Sequence, residues 1–216
     1  MVTSTPGTKP LRSDAQRNRE RIVASARALF AESGTDVSVE QITKHAGVGM
    51  GTLYRHFATK EELLDAVLEG TFEEIVDAAN AALEEEDAWA GFAGFLEAAL
   101  ALHAENRGLK DVLASRDDGL ERARAMRGRV WPLLRRVTER AHAEGTLRAD
   151  FTAEDLPIVF WTSTRVIELT SAVAPELWRR HLALLLDGLR AESASPLPQP
   201  PLTETELARV SAGRRR

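Results

Sequence analysis

The 216-residue chain contains no cysteine, which removes disulfides, thiol catalysis and zinc–thiolate sites together. No run of about eighteen apolar residues occurs, so a membrane span is not expected. The N-terminal MVTSTPGTKPLRSD lacks the apolar core of a signal peptide, and the expected location is the cytoplasm. No segment shows the apolar–polar alternation of a strand, which leaves an all-α fold. The histidines, at positions 45, 56, 103, 142 and 181, never form the HExxH spacing of a zinc site, and no glycine loop suited to cradling phosphate is present. Serines and carboxylates are scattered without a nucleophile arrangement. An enzyme is not expected, and neither a metal nor a cofactor is.

What the chain does have is ordinary for a globular protein, with 44% apolar and 28% charged residues and ample length for a buried core. The net charge of −5 is unevenly spread. Residues 1–60 hold nine Lys/Arg against five Asp/Glu, whereas residues 61–192 hold fifteen against twenty-six. The stretch from 193 is again basic, with four against two. Positive charge gathered at one end suits a polyanionic partner, since neutralised phosphates supply sequence-independent affinity.

The informative stretch is SVEQITKHAGVGMGTLYRHFATK, residues 38–60. Ser38 and Gln41 fit a capping box at a helix start. Val39, Ile42 and Ala46 follow at helical spacing, and Gly47 suits the left-handed cap that ends a helix. A second short helix, about residues 49–57, turns Val48, Leu53 and Phe57 inward and Met50, Thr52, Arg55 and His56 outward. Thr59 with Glu62 forms another capping box and starts a long helix. Helix, glycine turn and a polar, basic second helix make a helix-turn-helix, whose second helix enters the DNA major groove. Arg55 is the best base-reading candidate, because a guanidinium donates twice to the O6 and N7 of guanine; Met50 offers apolar contact to a thymine methyl.

GVGMGTLYRHFATKEEL, extended back through RIVASARALFAESGTDVSVEQITKHA, resembles the signature of the tetracycline-repressor (TetR) family of bacterial transcriptional regulators over about fifty residues. Gly49 and Thr59 stand where that signature commonly has serine. The resemblance implies that Thr52, Tyr54, His56 and Lys60 hold the phosphate backbone, that Ser38 and Val39 approach it from the preceding helix, and that Gly51 permits close approach. It also implies an effector pocket and a four-helix dimer interface in the C-terminal domain.

The chain in order is then a mobile arm at 1–12, a helix-turn-helix domain at 13–58, a helical effector-binding and dimerisation domain at 59–192, and a Pro-rich, disordered tail at 193–216, in which PLPQPP is a polyproline-like linker and TETELARVSAGRRR forms at best a frayed short helix. Ser13 with Gln16 is expected to cap the first helix, whose Ile22, Val23, Ala26, Leu29 and Phe30 form a core face ended by Gly34. Later helices are expected at 60–83, 88–105, 108–115, 118–144, 153–173 and 175–191, about nine in all. Pro175 suits a first helical turn, and Pro132 is expected to kink its helix. In the C-terminal domain Phe92, Phe95, His103, Arg127, Trp131, Trp161 and Arg165 are candidates for an effector pocket with aromatic walls and polar anchors. Leu177, His181, Leu184 and Leu185 on one of the last two helices, with Phe160 and Ile167 on the other, exceed one apolar stripe and suggest a dimer face.

These readings converge on a homodimeric regulator, a repressor that leaves a palindromic double-stranded operator when a small molecule binds. Two alternatives stand beside it: a small-molecule-sequestering helical protein with a vestigial DNA head, and a protein-interaction module without a ligand.

Overall fold

The computed structural model describes residues 9–106 and 119–213. Among these the chain is all-α: α1 (Lys9–Ser33), α2 (Val39–Ala46), α3 (Met50–His56), α4 (Lys60–Glu84), α5 (Ala88–Glu105), α6 (Gly119–Ala143), α7 (Leu156–Thr170), α8 (Leu177–Leu189) and α9 (Glu204–Gly213). Among the described residues, strand-like pairing is limited to one isolated antiparallel bridge between Leu147 and Arg190. The helix expected at 108–115 lies outside them. No described helix is long and apolar enough to cross a membrane. The chain divides into two compact units, the first running through Thr71 with Asn106, the second comprising Phe72–Glu105 and the described chain from Gly119.

In the first unit, Ile22, Ala26 and Phe30 of α1 are fully buried with Ile42 of α2 and Leu53 of α3, and Val37, Ala46 and Phe57 close the core. The helix starts earlier than its Ser13–Gln16 pattern suggests. It begins at Lys9 and runs through Ser13, because Pro10 fits a first helical turn, where its missing N–H costs nothing. Gly34 takes φ +67° and opens a 3₁₀ turn that ends α1. At α2 the Ser38–Gln41 box is present in both directions, with Gln41 N donating to Ser38 Oγ (3.3 Å) and Ser38 N to Gln41 Oε1 (2.7 Å). Gly47 adopts φ +63°, ψ +38° and turns the chain toward α3. The box at α4 is offset by one residue: Glu62 N donates to Thr59 Oγ1 (3.1 Å), while the Glu62 carboxylate accepts from Ala58 N (2.8 Å).

The second unit is built on α5, whose AWAGFAGFLEAALALHAE buries Trp89, Phe92, Phe95, Leu96, Ala99 and Leu100. A Cβ on Gly91 would stand 2.3 Å from the Ala82 carbonyl, so only glycine allows α4 and α5 to cross this closely. Arg140 of α6 donates to the carbonyls of Ala82 and Leu83 (3.2 and 3.0 Å), acceptors left open at the end of α4, and to that of Glu86 (2.8 Å) in the turn that follows. Asp87 caps α5 through Trp89 N (2.8 Å) and Ala90 N (3.0 Å). α6 continues through Pro132, whose side chain is exposed.

Two boundaries fall inside the expected ones. A 3₁₀ turn, Ala153–Asp155, precedes α7, and the Asp155 carboxylate accepts from Thr152 N (2.8 Å). Pro157 occupies the first turn of α7, while Pro175 sits in the turn before α8, so the role expected of Pro175 belongs to Pro157. The tail expected to be disordered carries α9, held at its start by a Thr203–Glu206 exchange of bonds, Thr203 N to Glu206 Oε2 (2.9 Å) and Glu206 N to Thr203 Oγ1 (3.3 Å). Arg135 bridges Glu154 and Glu204.

Arg148, only 8% exposed, ties this C-terminal segment down. Its guanidinium grips Asp150 twice (2.6 and 3.1 Å) and donates to the carbonyls of Gly188 (3.0 Å) and Ser195. Leu197 N completes the arrangement on Asp150 (3.1 Å). The Arg148 guanidinium, with the Leu197 amide second, lowers the Asp150 carboxyl from its ordinary 3.8 to about 2. A folded-state value below the unfolded one contributes stability above pH 3.8, lost as pH falls toward about 2. Asp150→Asn is therefore expected to unfold more easily than wild type at neutral pH. That deficit should shrink across the same acid window in urea titrations followed by tryptophan fluorescence.

Candidate nucleic-acid interface

α3 has seven residues, too short to be stable alone, and its orientation depends on what it packs against. Leu53 is fully buried and Phe57 nearly so, which fixes the opposite face outward. On that face Tyr54 is 47% exposed, Gly51 and Arg55 are exposed, and Thr52 and His56 are half-buried. Ser38, Val39 and Lys60 are half-buried at the starts of α2 and α4. The Ser38 hydroxyl accepts the capping bond from Gln41 (3.3 Å). Arg55 lies along its own helix, Nε donating to the Gly51 carbonyl (3.1 Å), which leaves the two terminal nitrogens of the fork for an external acceptor. Met50 is turned partly back toward α2, with its sulfur 3.6 Å from Thr43 Oγ1.

Nothing in the packing requires glycine at position 51, as nothing requires it at the helical Gly70, Gly94, Gly128 and Gly188; what sets Gly51 apart is its place on the outward face of α3. Its φ is not positive, and a Cβ built there meets nothing within 4 Å. Glycine in a helix costs about 0.5–1 kcal/mol relative to alanine. Gly51→Ala is expected to raise the stability of the first unit while weakening DNA binding, two opposite changes that thermal unfolding and a duplex titration would separate. A variant that binds as well as wild type would show that close approach at this position is not needed.

Two arginines of α1 escaped the sequence reading. Arg21 Nη2 donates to the Ala46 carbonyl (2.6 Å), and the Arg19 guanidinium lies 5.2 Å from the centre of the Phe57 ring. Both act across more than twenty positions of sequence, where local spacing carries no signal.

The residues proposed for an effector pocket are only partly brought together. Phe92 and Phe95 are in the core of the second unit, and Phe92 meets Phe151 edge-to-face at 5.9 Å. His103 packs edge-on against Phe160 at 5.6 Å, and Trp131 and Trp161 are half-buried. Arg165 does not join them: it is exposed and paired along its own helix with Glu168 (3.0 Å), one position out of phase with the inward face of α7. The Arg127 side chain lies outside the described residues. Ser163, fully buried and with no hydrogen-bond partner for its hydroxyl among the described residues, was missed because serine on an apolar helix carries no sequence signal. Of the residues expected at a dimer face, Leu177 and Leu184 are exposed, and Phe160, His181 and Leu185 are half-buried. Ile167 is 1% exposed and belongs to the protomer core instead.

Residues 22–67 match the family model for bacterial regulatory proteins of the tetR family, and residues 84–191 match that of the SbtR-like transcriptional regulator C-terminal domain. A solved TetR transcription regulatory protein from Mycobacterium vanbaalenii is 31% identical, across 84% of this chain and 99% of that one, with a TM-score of 0.67. A TetR transcriptional regulator from Streptomyces coelicolor is 30% identical, across 82% and 99%, at 0.64. An HTH-type transcriptional regulator of Staphylococcus aureus is 47% identical over 60 residues, 27% of this chain. The chain spans 32% of the length of that curated relative. A helix-turn-helix with its polar face outward, two family models that between them cover both units, and the two solved relatives agree: the chain belongs to the TetR family of DNA-binding transcriptional regulators.

Proposed function

We propose that the protein acts as a homodimeric repressor that holds a roughly palindromic operator and releases it when a small molecule binds the second unit. The observation that carries the DNA half is the outward face of α3, where Tyr54 and Arg55 are exposed opposite the buried Leu53 and the terminal nitrogens of Arg55 are left for an external acceptor. Two heads would enter successive major grooves about 34–36 Å apart. Arg55 would read a guanine, with Thr52, Tyr54, His56 and Lys60 on phosphates and Ser38 and Val39 approaching from the preceding helix.

The dimer half rests on exposed apolar side chains at the end of α7 and along α8. Leu169, Val173, Leu177 and Leu184 are all large, apolar and solvent-facing, more than a lone surface leucine. The effector half rests on the aromatic interior around Phe92, Phe95 and Phe151 together with the Ser163 hydroxyl. A buried hydroxyl left unpaired costs about 1–3 kcal/mol, which a ligand bearing one hydrogen-bonding group would recover. An effector acts only through its differential affinity for the operator-bound and free states.

Selection of bound sequences from random duplex DNA would identify the operator, and a palindrome with steep salt dependence is the expected outcome. Small molecules that stabilise the protein in a thermal screen would then be titrated into the operator complex. Unchanged operator affinity at saturating ligand would end the release mechanism, and failure to select any duplex would end the regulator reading.

A further inference from the structure

We propose that Arg21, which lies on α1 outside the helix-turn-helix, is a positioning residue that sets the orientation of the recognition helix by holding the turn between α2 and α3; this rests on the reading of α3 as the base-contacting element. α2 ends at Ala46, and the last carbonyls of a helix have no partner within it. Arg21 Nη2 supplies one, donating to the Ala46 carbonyl at 2.6 Å and lying 3.5 Å from the Gly47 carbonyl. A cation there also complements the negative end of the α2 dipole.

The guanidinium is seated against the turn itself. A Cβ on Gly47 would stand 2.9 Å from Nη2, so the left-handed glycine and the arginine fit as a pair. Three residues beyond Gly47, α3 begins at Met50. The support behind Arg21 is rigid, because Ile22 and Ala26 of the same helix are fully buried. At the other end of α3, Arg19 of α1 covers the ring of Phe57, the residue that ends the helix. α1 therefore holds the seven-residue recognition helix at both of its ends. Arg21 acts through the backbone of the turn and needs no contact with DNA to do so.

The test uses full-length R21M, which keeps the aliphatic stem, and R21K, which keeps one donor. Amide hydrogen exchange at Gly47 and Val48, whose N–H groups are bonded to the Lys44 and Thr43 carbonyls, is expected, without DNA, to quicken about tenfold in R21M, as the loss of a charge-assisted bond implies. Affinity for the selected operator is expected to fall by a similar factor at an unchanged slope of log K against log salt. R21K should fall between R21M and wild type in both readouts. A slope reduced by about one per subunit would overturn the assignment in favour of a direct phosphate contact. Unaltered exchange in R21M, or R21K performing no better than R21M, would also overturn it. Should wild type bind no duplex, the regulator reading fails while the exchange measurement still decides the role of Arg21.

Discussion

Leu53→Ala is expected to abolish detectable operator binding while leaving the second unit folded. Leu53 is the fully buried residue by which α3 is anchored, and only Phe57 at the end of the helix adds comparable apolar area. Truncating a buried leucine to alanine costs about 2–5 kcal/mol. That is a large fraction of the roughly 5–15 kcal/mol that stabilises a whole domain. A helix of seven residues has no independent stability to fall back on, so the loss falls on the element proposed to enter the groove. The chain supplies its own reporters for the two units. All four tryptophans, Trp89, Trp131, Trp161 and Trp178, lie in the second unit, and the single tyrosine, Tyr54, lies on α3. Tyrosine emission and amide exchange across α3 should change in Leu53→Ala while the tryptophan spectrum does not. Operator affinity within a factor of two of wild type would contradict the packing argument.

The contrast between what local patterns encode and what they do not runs through the whole molecule. The turn at Gly47, the boxes at Ser38 and Thr59 and the apolar spacing of α1 were legible because each is a matter of residues within one or two turns of each other. The head could be read almost in full on that basis. The Thr203–Glu206 box at α9 is equally local, yet the neighbouring prolines of PLPQPP drew that segment into the tail expected to be disordered. Arg21, Arg140 and Arg148 were not legible at all. Apart from the Arg148–Asp150 pair, two positions apart, the partners described for them lie 25, 54 to 58 and up to 47 positions away, on backbone carbonyls that every residue possesses. Gly91 is the same case, since its neighbour is the carbonyl of Ala82. The faces of α7 were misjudged for a different reason. LPIVFWTSTRVIELT is apolar on several sides, so its phase relative to the core is underdetermined, and both Arg165 and Ile167 were assigned to the wrong side.

The phase of α8 bears directly on the second large expectation, that Leu184→Glu converts the proposed dimer to a monomer with greatly weakened operator binding. Trp178 and Leu182 are buried on the inner face of α8, which leaves Leu184, 62% exposed, pointing away from the protomer core. A substitution there touches little within one chain, and surface changes of that kind usually stay within about 0.5 kcal/mol. In a two-fold interface the same patch faces its own copy, so a new carboxylate meets apolar surface and approaches a second carboxylate across the axis. Both effects oppose association. Losing the dimer turns bivalent operator binding into binding of single half-sites, which typically removes a factor of about 10²–10⁴ in affinity. The cause is separable from misfolding by its concentration dependence. A dimer unfolds at a midpoint that rises with protein concentration, because association stabilises the folded state by mass action. Wild type should show that rise in tryptophan-monitored melts; Leu184→Glu should melt at one temperature at every concentration and sediment as a single chain. A variant that still sediments as a dimer and binds the operator as wild type does would place the interface elsewhere and leave the exposed face of α8 without a part in association.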